Sequence, residues 1–217
     1  MLSKELKVFP KISTIGEEVL KELYMFYRKQ EHREGYYISS LSGCLRKAYY
    51  EIVYPTEEKD KLRKSIFEGE AIHYFISYLI NLGGKLMFKR IESEVPVEYE
   101  FEEIKLVGRA DIVLKDRVIE IKTTKNLPRL PYYSHVLQAN AYAYLLNKKK
   151  FEITYIAEHG VRSFSMETSE ELFEKLKERA RILHNAVKYS IAPEKEPTPY
   201  CNKCPYYHIC YKQLQLM

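Results

Sequence analysis

Tryptophan is absent from the 217 residues, glycine is scarce at 8, and cysteine occurs four times. With no internal repeat and no biased block, collagen-like, coiled-coil and disordered chains are excluded. No apolar run approaches the roughly 18 to 20 residues that a membrane helix needs. The best candidate, Ala71 to Leu82, is too short and is broken by His73, Ser77 and Asn81. The opening MLSKELKVFPK has no apolar signal-peptide core, so a cytoplasmic location without a membrane partner is expected. No G-x-x-x-x-G-K-[ST] loop occurs, so intrinsic ATP-driven unwinding is not expected. Neither charge dominates: 35 Lys and Arg against 30 Asp and Glu leave +5. That surplus permits an acidic partner such as nucleic acid without demanding one. What remains is ordinary globular composition, 46% hydrophobic and 30% charged, with length for one domain and a sizeable core.

Periodicity and punctuation lay out the elements. Thr14-Ile-Gly-Glu17 reads as a capping box opening a helix to about Gln30. A second helix is predicted over Ser40–Tyr54, stopped by Pro55, and a third over 65–82, ended by Gly83-Gly84. Strands follow at Val95–Phe101, Lys105–Leu114 and Arg117–Thr123, the last two joined by a tight Lys115-Asp116 turn. A helix over 132–147 precedes short strands near 151–157 and 161–166. Thr168-Ser-Glu-Glu171 reads as another capping box, starting a long helix to about Tyr189. A proline-rich stretch at 193–199 leads into a cysteine tail. This order suits an α/β fold, a sheet with flanking helices.

Three of the four cysteines sit in one run, Cys201-Asn-Lys-Cys204-Pro-Tyr-Tyr-His-Ile-Cys210, and Cys44 lies far upstream. In a cytosolic protein, close cysteines are more often metal or redox groups than a disulfide framework. Four thiolates suit a tetrahedral zinc or an iron–sulfur cluster. Structural zinc sites usually show two local pairs; here there is one pair, one cysteine beyond it and one distant. That asymmetry favours a [4Fe–4S] cluster, with zinc, disulfides and free thiols remaining as alternatives. Either metal group would staple the tail to the Cys44 helix and close a long loop, where a crosslink removes most entropy.

Another chemistry-bearing segment is Gly108-Arg-Ala-Asp111 followed by Glu120-Ile-Lys122. Glu120 and Lys122 are two apart on one predicted strand and share a face, and a hairpin can bring Asp111 beside Glu120. Two carboxylates suit Mg²⁺ or Mn²⁺, and an ammonium beside them can orient water or stabilise phosphate charge. Taken alone, the pattern also fits a salt-bridged solvent face. Gly69-x-x-x-His73 and Gln138-x-x-x-Tyr142, one helical turn apart, are unremarkable singly.

In order, Cys44, G-x-x-x-H, G-R-A-D, E-I-K, Q-x-x-x-Y and C-x2-C-x5-C resemble the RecB-type nucleases of the PD-(D/E)xK superfamily, and among them the CRISPR-associated exonucleases with a four-cysteine iron–sulfur cluster. The run Cys44-Leu-Arg-Lys-Ala-Tyr-Tyr50 looks like that family's first cysteine helix, and the resemblance spans residues 44–210. Ala110 stands where the superfamily name has proline, a departure that RecB-type members commonly tolerate.

The resemblance implies a restriction-endonuclease-like core. In it a central mixed sheet is flanked by helices, and the cysteine tail docks on the N-terminal helical region. It implies one nuclease domain over 1–217: a helical region at 1–64, the core at 65–166, and a long helix and tail at 167–217. It implies His73, Asp111, Glu120 and the Ile121 carbonyl as ligands of Mn²⁺ or Mg²⁺, with Lys122 as the catalytic lysine. Gln138 and Tyr142 would position that site or the DNA. Cys44, Cys201, Cys204 and Cys210 would hold a mainly structural [4Fe–4S] cluster. The implied activity is metal-dependent exonucleolytic hydrolysis of single-stranded DNA. CRISPR spacer acquisition would be the setting, integrase proteins the partners, and a homo-oligomer is allowed.

Arg46, Lys47, Thr124 and Lys125 are candidate DNA contacts. Arg129, Tyr132 and Tyr133 follow them, with a solvated basic loop and core tyrosines as the bland alternative. Competing readings are a DNA- or partner-binding scaffold of the adaptation machinery, a stand-alone or viral nuclease outside CRISPR, and a zinc-stapled regulatory protein with a chance acidic hairpin.

Overall fold

Six strands and five helices position the chemistry-bearing residues in a computed structural model that describes residues 34–55, 72 and 91–212. The helix expected from Thr14 lies outside the described residues. Of the helix expected over 65–82, only Ile72 is described, and it is helical. The described residues belong to one compact unit that starts at Glu34.

The first strand, β1, is Tyr36–Tyr37, followed by α1 (Ile38–Ser42) and α2 (Leu45–Val53). One helix was expected over Ser40–Tyr54; the chain makes two. Gly43 ends the first and Cys44, in extended backbone at φ −71° and ψ 114°, begins the second. The break turns the cysteine out of a helix side and onto a helix start.

Strands β2 (Glu92–Phe101), β3 (Ile104–Val113) and β4 (Arg117–Thr123) follow. Helix α3 (Tyr133–Leu145) leads to β5 (Lys150–Ala157) and β6 (Gly160–Glu167). Helix α4 (Glu170–Tyr189) precedes the tail, which holds a 3₁₀ turn at Cys201–Lys203 and α5 (Tyr207–Lys212).

The sheet is mixed, in the order β1-β3-β4-β5-β6, with β2 pairing β3 along its other edge. β1 with β3 and β4 with β5 are parallel; the other pairs are antiparallel. β3 is the central strand; one face is apolar (Ile104, Leu106, Gly108, Ala110, Ile112), while the other alternates Val107 and Val113 with Lys105, Arg109 and Asp111. β5 alternates, burying Phe151, Ile153 and Tyr155. β6 is an edge strand and keeps a polar, exposed pattern that blunts the edge.

Helix α3 is buried on nearly every side from Leu137 to Ala143, because it lies between β4 and β5 on one side and α1 and α4 on the other. Ala139, Ala141 and Ala143, all fully buried, let those layers approach closely. α4 is amphipathic and buries Phe173, Leu176, Ala180, Leu183 and Ala186 at helical spacing. Its cap is Ser169, whose Oγ accepts the Leu172 N–H at 3.3 Å, one residue beyond the expected Thr168. Thr168 is spent on the preceding turn, donating its hydroxyl to the Lys148 carbonyl at 2.8 Å. Among the described residues no helix is long and apolar enough to cross a membrane.

Candidate active site and cysteine pocket

The β3–β4 ladder pairs Val113 with Val118 and Ile112 with Ile119, and then gives way. One step further the same register sets Asp111 opposite Glu120. There a side chain replaces the ladder: the Ile121 N–H donates to Asp111 Oδ2 at 2.7 Å. β1 lies on this same edge of β3 and pairs only Leu106 and Val107, since β2 takes the other edge throughout. Gly108 to Asp111 therefore lie between two ladders, where the sheet parts.

Glu120 is only 1% exposed, a costly place for a carboxylate without compensation. Lys122 Nζ lies 2.8 Å from Glu120 Oε1, and Gln138 Nε2 donates to the same oxygen at 2.8 Å. Gln138 Oε1 accepts from Lys122 Nζ at 3.0 Å, so one amide on α3 fixes both members of the strand pair. Its Nε2 also reaches the Tyr142 hydroxyl at 3.4 Å. Burial works against the Lys122 ammonium. The Glu120 charge and hydrogen bond, with Asp111 behind them, outweigh burial and hold its pKa above the usual lysine value. Burial, then Glu120, pushes the Tyr142 phenol well above its ordinary range, so it stays a hydroxyl.

Gly108 makes room for this arrangement. A Cβ there would fall 2.6 Å from Tyr142 Cε1 and 2.9 Å from its hydroxyl oxygen. The glycine of the G-R-A-D run is thus a space requirement rather than a turn requirement.

Beneath Lys122, the parallel register sets Tyr155 beside it on β5. The Tyr155 hydroxyl accepts the Tyr132 N–H at 3.0 Å and meets His135 Nδ1 at 2.8 Å. Burial, with the Lys122 charge behind it, pushes the His135 pKa down to about 3, so the ring is neutral. Neither His135 nor Tyr155 stood out in the sequence; Y-Y-S-H ahead of Q-A-N-A-Y carries no spacing that marks a site. Arg109 of the G-R-A-D run forms an ion pair with Glu94 on β2.

The four cysteines come together. Cys44, Cys201, Cys204 and Cys210 line one solvent-open pocket of about 360 Å³, and none is in a disulfide. The Thr198 N–H donates to Cys201 Sγ at 3.2 Å and pulls that thiol's pKa down, whereas burial pushes the Cys44 thiol up. The tail is anchored beside them: Tyr206, 1% exposed, packs on Tyr50 with ring centroids 5.7 Å apart.

A second clamp went unmarked in the sequence because half its partners are backbone groups distant along the chain. Arg179 of α4 pairs with Glu196 at 2.7 Å, donates to the Leu41 carbonyl at 2.7 Å and bonds the Gly43 carbonyl. Glu196 Oε2 accepts the Leu45 N–H at 2.8 Å. The pair thereby fixes both sides of Cys44 to α4 and to the tail.

Among the described residues no three His, Cys, Asp or Glu side chains are drawn close enough to hold one metal ion between them. At the carboxylates the described donors are Asp111, Glu120 and the Ile121 backbone; His73 lies outside the described residues. Arg46 and Lys47 line the cysteine pocket, Arg46 near the Tyr50 ring and Lys47 3.7 Å from Glu51. Thr124 serves the loop, its N–H on the Ile156 carbonyl and its hydroxyl on that of Asn126. Lys125 and Arg129 are exposed on that loop, as are Tyr132 and Tyr133.

Comparison with known proteins bears on this geometry. The chain is 26% identical over 193 residues to the CRISPR-associated exonuclease Cas4 of Saccharolobus solfataricus, covering 81% of this chain and 91% of that protein. Its fold is like the crystal structure of SSO0001, with a TM-score of 0.73 at 21% identity over 91% of this chain and 96% of that one. It is also like the alkaline exonuclease LHK-Exo from Laribacter hongkongensis, with a TM-score of 0.50 at 9% identity over 72% and 89%. Residues 19–211 match the PD-(D/E)XK nuclease superfamily. A match running nearly end to end, on a mixed sheet that parts at Asp111 and Glu120, makes the chain a member of the PD-(D/E)XK nuclease superfamily and thus a nuclease.

Proposed function

We propose that this nuclease is a divalent-metal-dependent exonuclease of single-stranded DNA, with Asp111, Glu120 and Lys122 at its centre. The observation that carries the reading is the convergence of Asp111, Glu120, Lys122 and Gln138 where β3 and β4 part. Nucleases of this superfamily use divalent metal ions, and the donor set fits one: two buried carboxylates beside a backbone carbonyl are hard oxygen ligands. Asp111, Glu120 and the Ile121 carbonyl would hold the ion, with His73 as the further ligand. When bound, Mn²⁺ or Mg²⁺ supplies Lewis acidity towards the phosphate and the attacking water.

The protein's own groups do the positioning. Lys122 is aimed by Glu120 and Gln138 and presents its ammonium where charge grows on the phosphate oxygens. As the water oxygen bonds to phosphorus and gives up a proton to solvent, the ester P–O bond opposite it breaks, and the leaving oxygen takes up a proton from solvent. Gln138, braced by Tyr142, keeps the carboxylate and the lysine from collapsing onto other partners.

The cysteines fit a [4Fe–4S] cluster. Four unbridged thiols surround one pocket, and a backbone N–H is turned to one of them, as the sulfurs of such clusters accept. A single zinc would instead require all four sulfurs at about 2.3 Å from one point. When bound, the cluster supplies a crosslink between the tail and Cys44. The likeness to the CRISPR-associated exonuclease of Saccharolobus solfataricus supports a CRISPR setting, and the proposal puts the chain in spacer acquisition beside integrase proteins.

The test is digestion of 5′- and 3′-labelled single-stranded DNA with Mn²⁺ or Mg²⁺, beside Lys122→Ala and an EDTA control. Cleavage lost in both supports the assignment, and the label pattern gives the polarity. A Lys122→Ala protein that cuts at the parental rate would refute it.

A further inference from the structure

Four large side chains stand exposed on the loop after β4, at the start of α3 and in the tail: Leu130, Tyr132, Tyr133 and Tyr200, at 77%, 40%, 57% and 60%. Exposed aromatic side chains that adjoin one another mark interaction surfaces. Two of them are held rather than loose. The Tyr132 backbone donates to Tyr155, and its ring packs edge-on against His135 and Tyr155, with centroids 5.4 and 5.9 Å apart. Its phenol lies near that of Tyr200. Tyr200 is fixed in turn, its N–H donating to Thr198 Oγ1 at 3.3 Å and its carbonyl accepting the Lys203 N–H at 3.0 Å. Tyr155 is the register neighbour of Lys122, so the Tyr132 ring lies one side chain away from the lysine, and Tyr200 lies beyond Tyr132.

The charge on the loop itself has one sign. Between Thr123 and Tyr132 the loop carries Lys125 and Arg129 and no acidic residue, and Arg162 of β6 donates to the Pro128 carbonyl at 2.9 Å. Fixed aromatic faces beside cations suit a partner with flat π-surfaces on an anionic backbone. Duplex DNA keeps its base faces stacked inside, whereas a single strand offers them.

We propose that Tyr132 and Tyr200 form a stacking platform for unpaired bases of the strand being cut, next to the phosphate that faces Lys122. This rests on the single-strand reading above and adds where the bases go. Tyr132 is held in place before binding, and the Tyr200 backbone with it, so less entropy is lost on binding. Because every base has a π-face, the platform favours single strands without reading sequence.

The experiment measures binding of the full chain, in EDTA, to a fluorescent single-stranded oligothymidylate and to an abasic strand of the same length. Tyr132→Ala and Tyr200→Ala are each expected to weaken the thymidine strand about tenfold and leave the abasic strand within twofold. Tyr132→Phe, which keeps the ring, is expected to bind as the parent does. Melting curves check that each variant folds, and Tyr200→Ala tests the platform independently should Tyr132→Ala fail that check. Variants that bind both strands as the parent does, or lose both equally, overturn the platform alone. A parent chain that binds neither strand overturns the single-strand reading together with the platform.

Discussion

Glu120 shows how one residue can be both buried and functional. Its carboxylate is tolerated inside because Lys122 and Gln138 both serve Oε1. Replacing Gln138 by Leu removes a donor from Glu120 and an acceptor from Lys122. The expected outcome is cleavage slowed about 10- to 100-fold, the usual cost of losing a supporting partner, with the far-ultraviolet dichroism unchanged. Gly108→Ala acts through space. The added methyl would meet the buried Tyr142 ring, and overpacking of this kind costs about 1–3 kcal/mol, read as a lower melting temperature. Combining it with Tyr142→Leu is expected to recover part of that stability, since the two sites are in contact.

His135 gives a pH dependence at the same scale. Its folded pKa is depressed to about 3, below the usual 6.5, so the folded state resists a proton that the unfolded chain accepts. The stability this contributes is complete above pH 6.5 and is lost as pH falls towards 3. The loss is on the order of 2 kcal/mol once partial exposure is allowed for. Urea midpoints measured from pH 7 to pH 4 are expected to fall less steeply in His135→Gln than in the parent.

At the scale of elements, the break between α1 and α2 decides where Cys44 points, and Arg179 with Glu196 decides that the break stays put. Hydrogen bonds to charged groups contribute about 1.5–3 kcal/mol each. Arg179→Met gives up several at once, and a net loss of about 3 kcal/mol in urea denaturation is expected. The visible absorbance of an iron–sulfur group is expected to fade faster in this variant than in the parent. Asn140 plays a comparable part between α3 and α4. Fully buried, it accepts the Ser169 N–H at 2.8 Å and donates to the Ser169 carbonyl at 2.9 Å, tying the α4 cap to the helix that carries Gln138.

For the whole molecule, the two proposed metal sites are expected to separate in their effects. EDTA should stop cleavage and leave the melting temperature nearly unchanged, because Asp111 and Glu120 already sit among protein partners. Removing a cluster should lower the melting temperature and open the tail beyond Ile191 to protease. Its ligands close a loop that takes in most of the chain, and opening so long a loop returns the largest entropy.

The elements themselves were legible from local chemistry. Alternation marked β2, a capping-box pattern marked the start of α4 to within a residue, and the two-residue turn marked the β3–β4 hairpin. The pairing of Glu120 with Lys122 on one strand face also followed from the period of a strand alone. Non-local contacts decided the rest. No spacing announces that α3 lies against β4 and brings Gln138 between a carboxylate and an ammonium 18 and 16 residues away. Nor does local sequence give the Arg179 contacts with the Leu41 and Gly43 carbonyls, 138 and 136 residues distant, or the meeting of Tyr132 with Tyr200. Local propensity and periodicity are properties of neighbours along the chain, and so the sequence alone determined the elements and the faces they bury. Which side chains meet depends on how those faces stack, and only the tertiary structure decided that.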